Sequence, residues 1–175
     1  MSPSKKTKIV LDADVIIHFI KGNQFSTLLE IFPEYNYIVL DVVYNELNQS
    51  RRSLINKFES LIKKITIVKF TPTGNSIKEY ACLTKEKGKG ESACMIYCKD
   101  NKDVLGSSNL KDIADFCKEN DITYLTTLDF LYYAFAKGKM TQEECNKFIQ
   151  DVKAKGSILP DEVNNIETYV CSVVI

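Results

Sequence analysis

Four carboxylates in this 175-residue chain stand where a side chain can do chemistry. Asp12 and Asp14 are wedged between the apolar runs Ile9-Val10-Leu11 and Val15-Ile16-Ile17. A carboxylate set among apolar residues is costly unless it is paired or binds a metal. Glu46 follows in Val42-Val43-Tyr44-Asn45-Glu46-Leu47, and Glu91 comes directly after Gly88-Lys89-Gly90. Hard divalent cations take carboxylate oxygens, and Mg²⁺ keeps several waters and bridges to substrate phosphates. Such an ion can generate a hydroxide nucleophile and offset charge on a phosphodiester. Each acid also has a plainer role. Asp14 can cap a helix, Glu46 can be a solvated helix residue, and Glu91 can answer the positive end of a helix dipole. Asp12 is explained less well in this way.

Other chemistries lack the residues they need. His18 is the one histidine and follows an apolar run, so it reads as structural or surface. A Ser-His-Asp or Cys-His enzyme would have to use it. The six cysteines include no CxxC pair. Cys94 and Cys98 share a helix face, and with Cys82, Cys117, Cys145 and Cys171 they read as small apolar core residues. Chain size and the lack of a secretory signal argue against a disulfide framework. Lys plus Arg number 23, as do Asp plus Glu, so any nucleic-acid partner must be held by local patches. The polar lead Met1 to Thr7 runs straight into an apolar segment with no signal-peptide pattern. No run reaches membrane-spanning length, so the expectation is a cytoplasmic protein with no membrane partner.

Positioning the acids takes a sheet. Ile9 to Leu11, Tyr37 to Leu40, Ile65 to Phe70, Val104-Leu105 and Ile122 to Leu125 read as short strands. Helical spacing predicts Asp14 to Lys21, Gln24 to Ile31, Val42 to Gln49 with Asp41 as N-cap, and Arg51 to Lys64. It further predicts Ser76 to Lys87, Glu91 to Lys99, Leu110 to Asn120 capped by Ser107 or Ser108, and Thr127 to Lys137. Thr141-Gln142-Glu143-Glu144 is a capping box opening a last helix to about Lys155. The tail to Ile175 is ambiguous between helix and strand. Strands separated by helices predict a parallel sheet covered on both faces, in one domain. In such sheets ligands bind at the carboxyl ends of strands, where Asp12 lies.

Leu11-Asp12-Ala13-Asp14-Val15-Ile16-Ile17, Val43-Tyr44-Asn45-Glu46-Leu47 and Gly90-Glu91-Ser92-Ala93, in this order and spacing, resemble the acidic motifs of PIN domains. These are metal-dependent nucleases that include the VapC toxins of toxin–antitoxin systems. Ile122 to Gly138, followed by Met140-Thr141-Gln142-Glu143, resembles the C-terminal part of many PIN-like proteins, so the similarity spans about Lys8 to Pro160. The resemblance implies a three-layer α/β/α fold with five parallel strands ordered 3-2-1-4-5. It implies Mg²⁺ or Mn²⁺ in an acidic pocket and RNA as substrate. Asp12, Glu46 and Glu91 match the first three acidic positions and are the implied catalytic and metal-binding residues, with Asp14 beside them. A homodimer and an antitoxin-like protein partner are further expectations of the family.

The chain departs from the family after strand four. Where many PIN domains carry one or two Asp, it reads Ser107-Ser108-Asn109-Leu110-Lys111-Asp112. Ser107, Ser108, Asn109 and Asp112 are therefore auxiliary candidates, and Asp14 is a candidate for the missing charge. Lys85, Lys87, Lys89, Arg51, Arg52 and Lys57 are candidates for holding phosphates, or ordinary solvated helix ends. Phe130, Tyr132, Tyr133 and Phe135 read as packing residues rather than a base-stacking platform. Two other functions compete with a ribonuclease. One is a PIN-like module that binds RNA or protein without turnover. The other is a haloacid-dehalogenase-like phosphatase using Asp12-Ala13-Asp14, although Ile16 stands where that motif continues to Thr.

Overall fold

The computed structural model describes residues 6–175. Of the polar lead expected over Met1 to Thr7, the first five residues lie outside the described residues. The five strands are β1 (Lys8–Leu11), β2 (Asn36–Leu40), β3 (Ile65–Val68), β4 (Val104–Gly106) and β5 (Tyr124–Leu125). All neighbours pair in parallel, in the order β3-β2-β1-β4-β5. Ile9, Val10 and Leu11 of the central strand are fully buried, as expected of a parallel strand covered on both faces.

The helices are α1 (Ala13–Lys21), α2 (Phe25–Ile31), α3 (Asp41–Glu46), α4 (Gln49–Lys57), α5 (Asn75–Leu83), α6 (Lys89–Asn101), α7 (Leu110–Glu119), α8 (Thr127–Ala136) and α9 (Gln142–Ala154). α1, α2, α8 and α9 pack together, as do α3, α5, α6 and α7, and the sheet between them completes the expected α/β/α layering. Among the described residues no helix is long and apolar enough to cross a membrane.

Several boundaries differ from expectation, each for a local reason. The helix over 42–49 ends at Glu46, because Leu47 turns extended to stay buried at 3 % exposure. Asn48 then caps α4 by accepting from the Arg51 N–H at 3.0 Å. The helix expected to reach Lys64 passes into a π-helical turn, Phe58–Ile62, closed by left-handed Lys63. β3 stops at Val68, where Asp41 Oδ1 accepts from the Phe70 and Val42 N–H groups, each at 2.9 Å. α5 ends at Leu83 rather than Lys87, and α6 already starts at Lys89, so Gly88-Lys89-Gly90 is its N-cap and first turn. Neither Ser107 nor Ser108 caps α7; Asn109 holds that position. The Thr141–Glu144 capping box forms as read, and Thr126–Asp129 forms another at α8.

The tail contains a single 3₁₀ turn, Ile166–Thr168, and no strand. It is tied down by the Tyr169 hydroxyl, which donates to buried Asp129 at 2.7 Å, and by the Tyr133 hydroxyl on the Val173 carbonyl. Cys94, Cys98, Cys117 and Cys145 are buried as expected, but Cys82 is exposed and Cys171 half-buried. Cys171 lies on the irregular tail, where its thiol donates to Asp129.

Candidate acidic site

In the order β3-β2-β1-β4-β5 the chain reverses direction across the sheet between β1 and β4. A crevice at their carboxyl ends is where such sheets bind ligands. Asp12 follows β1 there. Its N–H donates to the Gly106 carbonyl at 2.8 Å, and its Oδ1 accepts from the Ala13 N–H at 2.7 Å. Asp12, not Asp14, is therefore the N-cap of α1. Its other oxygen accepts from the Ser107 hydroxyl at 3.2 Å.

Asp14, in the first turn of α1, reaches across the switch point. Its Oδ2 accepts from the Ser108 N–H at 2.7 Å, so its carboxylate stands over the loop that lacks one. Glu91 is on the first turn of α6 at 8 % exposure, and Oε1 accepts from the Asn109 amide at 2.9 Å. The same amide donates to Asp112 Oδ2 at 2.7 Å, so Asp112 does reach back toward the site. The Lys87 ammonium lies 3.2 Å from the other oxygen of Asp112.

Glu46 comes last, from the C-terminal end of α3. It is exposed rather than buried, yet it is not merely solvated: Oε1 accepts from the Gly90 N–H at 2.8 Å. A carboxylate here satisfies an orphan donor of α6 and faces the positive end of its dipole. Gly90 makes the approach possible, since a Cβ at this position would lie 2.5 Å from Glu46 Oε2.

Asp12, Asp14, Glu46, Glu91 and Asp112 line one open pocket of about 290 Å³, with Asn109 beside them. Glu86 also lines it, a residue the sequence reading missed; only its place just before the Gly88 turn could have pointed to it. Lys87 is the one basic residue on the wall among those described, whereas Lys85, Lys89, Arg51, Arg52 and Lys57 are not part of it. The serines do not line the pocket as cation ligands. Ser107 is fully buried beneath Asp12, and the Ser108 hydroxyl bonds to Thr127 at 2.8 Å. His18 is structural, its Nδ1 2.8 Å from the same Thr127 hydroxyl.

Crowding these acids opposes their ionisation. Burial, and after it the negative charge of Asp14, raises the Asp12 carboxyl well above the ordinary range. Asp14 is raised as well, chiefly by burial and against the pull of the Ser108 N–H. Burial, followed by the charge of Asp112, pushes Glu91 up to about 7. Six carboxylates and a single ammonium on one wall form an all-oxygen donor set of the kind hard cations accept. Among the described residues, no three Asp, Glu, His or Cys side chains are placed so that together they could hold a metal ion. An open wall suits Mg²⁺, which binds through one or two carboxylates and keeps water, better than a metal that needs a complete protein shell.

No protein-family model matches the chain, and no curated protein matches it. Among solved structures, one it is similar to is a PilT N-terminus domain protein, SSO1118, from the hyperthermophilic archaeon Sulfolobus solfataricus P2. The two share 13 % identity over 74 % of this chain and 94 % of that chain, with a TM-score of 0.46. The parallel 3-2-1-4-5 sheet, with acidic side chains gathered at its switch point, is the arrangement that the sequence resemblance implied, and on that topology the fold is PIN-like.

Proposed function

We propose that the acidic pocket is the centre of a Mg²⁺- or Mn²⁺-dependent ribonuclease. The observation that carries this reading is the charge of the wall: six carboxylates against one ammonium, two of the acids buried, at the switch point of a parallel sheet. Such an excess is sustained when a cation offsets it. The donors fit that group, because Gly90 leaves the space in which Glu46 faces Glu91's helix, a space that a Cβ would fill.

One or two of Asp12, Asp14, Glu46 and Glu91 would hold the ion directly, with water completing its shell. When bound, it supplies Lewis-acid stabilisation of a phosphodiester and a nucleophile from water. The protein's part is to hold this set still. Asp12 is fixed at both ends, by the Ala13 N–H and the Ser107 hydroxyl, so its carboxylate cannot rotate away. Asn109 sets the rotamer of Glu91 and ties it to Asp112. The Ser108 N–H does the same for Asp14. In this way the strand-four loop positions carboxylates where other PIN domains contribute them.

The test is cleavage of single-stranded RNA by the purified protein in millimolar Mn²⁺ or Mg²⁺. Asp12→Asn keeps an oxygen to cap α1 but loses the charge, and is expected to lower cleavage at least about 100-fold. Equal cleavage by the variant, or by the wild type in a chelator, overturns the reading.

A second reading is a PIN-like module that binds RNA or protein without turnover. It is favoured by the neutral loop, since Ser107, Ser108 and Asn109 give three of the acids hydrogen bonds that require no cation. Calorimetry separates the two. If neither Mn²⁺ nor Mg²⁺ binds at millimolar concentration, the second reading replaces the first.

A further inference from the structure

Lys87 is unlike the other lysines near the pocket. Lys85 and Lys89 on either side are exposed, but the Lys87 side chain is 18 % exposed and turned onto the acidic wall. It sits in the turn between α5 and α6, where its N–H donates to the Leu83 carbonyl at 2.9 Å, and Gly88 then turns extended to start α6. The backbone thus fixes the root of the side chain at the pocket rim. Its ammonium lies 3.2 Å from Asp112 Oδ1, while Asp112 Oδ2 is bridged through Asn109 to Glu91. A chain of contacts therefore leads from the Lys87 ammonium to a buried carboxylate of the proposed metal site.

This pair is a poor structural clamp. Asp112 is 30 % exposed, and partly exposed ion pairs contribute little to stability. Lysine carries a compact charge on a flexible four-carbon stem, and it binds phosphate as a point charge without demanding one geometry. Among the described residues it is also the only basic group on a wall that, under the reading above, must receive both a divalent cation and a phosphate anion.

We propose that Lys87 is an exchangeable counter-ion. Its ammonium balances Asp112 in the metal-free protein, and transfers to a phosphate of the bound RNA when a divalent cation takes its place at the carboxylates. This rests on the ribonuclease reading for the identity of the anion, but not for the exchange itself. Lys87 is thereby a positioning residue for substrate and a competitor of the metal.

Two variants with opposite expected signs test it. Lys87→Met removes the competing charge while keeping the apolar stem, and Asp112→Asn releases Lys87 while removing a carboxylate. Calorimetry with Mn²⁺ alone should show severalfold tighter binding in Lys87→Met and weaker binding in Asp112→Asn. A fluorescent single-stranded oligoribonucleotide, titrated in Ca²⁺, should bind severalfold more weakly to Lys87→Met and more tightly to Asp112→Asn. Lys87→Arg should stay near wild type in both assays. For Lys87→Met, the slope of log affinity on log salt should also become shallower by about 0.7, the contribution of one phosphate contact on a single strand.

A merely structural ion pair would make both variants shift in the same direction in each assay, and that result overturns the proposal. So does unchanged Mn²⁺ affinity in Lys87→Met. If the wild type neither binds nor cuts RNA while the two variants still move Mn²⁺ affinity oppositely, the ribonuclease reading fails and the counter-ion exchange stands. If the wild type cuts RNA and neither variant moves Mn²⁺ or RNA affinity, the exchange fails and the ribonuclease reading stands.

Discussion

Glu91 carries its charge into a place where burial opposes it, and that gives the metal-free protein a characteristic pH dependence. Its carboxyl is raised from 4.5 to about 7, first by desolvation and then by Asp112. The folded state therefore binds a proton more tightly than the unfolded chain does. On account of this group, stability is fully present below the unfolded value of about 4.5 and is lost as pH rises through about 7. Asp12, raised for the same reason, adds in the same direction. Asp112, held low by Lys87, acts oppositely, so the contribution must be isolated by difference. Glu91→Gln keeps an oxygen for the Asn109 amide and cannot ionise. In a chelator, its melting temperature should match wild type near pH 5 and exceed it increasingly toward pH 8. Each kcal/mol is worth about 2–4 °C for a chain of this size, so a gain of several degrees is expected. Saturating Mg²⁺ should raise the wild type and narrow this gap. Parallel melting curves for variant and wild type across that range would show that Glu91 is not strained by its charge.

At the level of elements, the first turn of α6 decides how the acids meet. Gly88 caps it without a side-chain hydrogen bond, so the carboxylate of Glu46 serves instead, through the Gly90 N–H. Gly90→Ala separates stability from site geometry. Alanine favours a helix over glycine by up to about 1 kcal/mol, and the atom it meets is the end of a flexible side chain. The melting temperature should therefore stay within about 3 °C of wild type, while displacement of Glu46 weakens Mn²⁺ binding severalfold, as read by calorimetry. A large loss of stability with unchanged Mn²⁺ affinity would contradict this. The sequence made this element only half legible. Glu91 after two glycines marked a helix start, but the glycines read as a link, because nothing local reveals that an acid 44 residues earlier supplies the cap. The break at Leu47 was hidden in the same way. Helical periodicity runs on through it, and the chain straightens only because Leu47 is buried by tertiary packing.

For the whole molecule, alternating strands and helices and the placing of Asp12, Glu46 and Glu91 near strand ends or helix starts were legible in the residues, whereas the strand order came from the family resemblance alone. The structure bears out that order and gathers the three acids in one pocket. The strand-four loop was legible only as a deficit of carboxylates. Its role as a hydrogen-bond donor to Asp12, Asp14 and Glu91 depends on side chains brought together from 18 to 95 residues apart. The same distance argument applies to Lys87 and Asp112. Net charge completes the picture at this scale. With 23 basic and 23 acidic residues, the chain has no overall field to draw in a polyanion, and the pocket itself is negative. Under the ribonuclease reading, RNA affinity must then come from a few local contacts formed once a cation has reversed the local sign. Each phosphate contact on a single strand contributes about −0.7 to the slope of log affinity on log salt. For two or three contacts, a titration in Ca²⁺ should give a slope of about −1.5 to −2, and almost no binding in a chelator. A slope beyond about −4, or tight binding without divalent ions, would mean that RNA is held on a basic surface away from the acidic pocket.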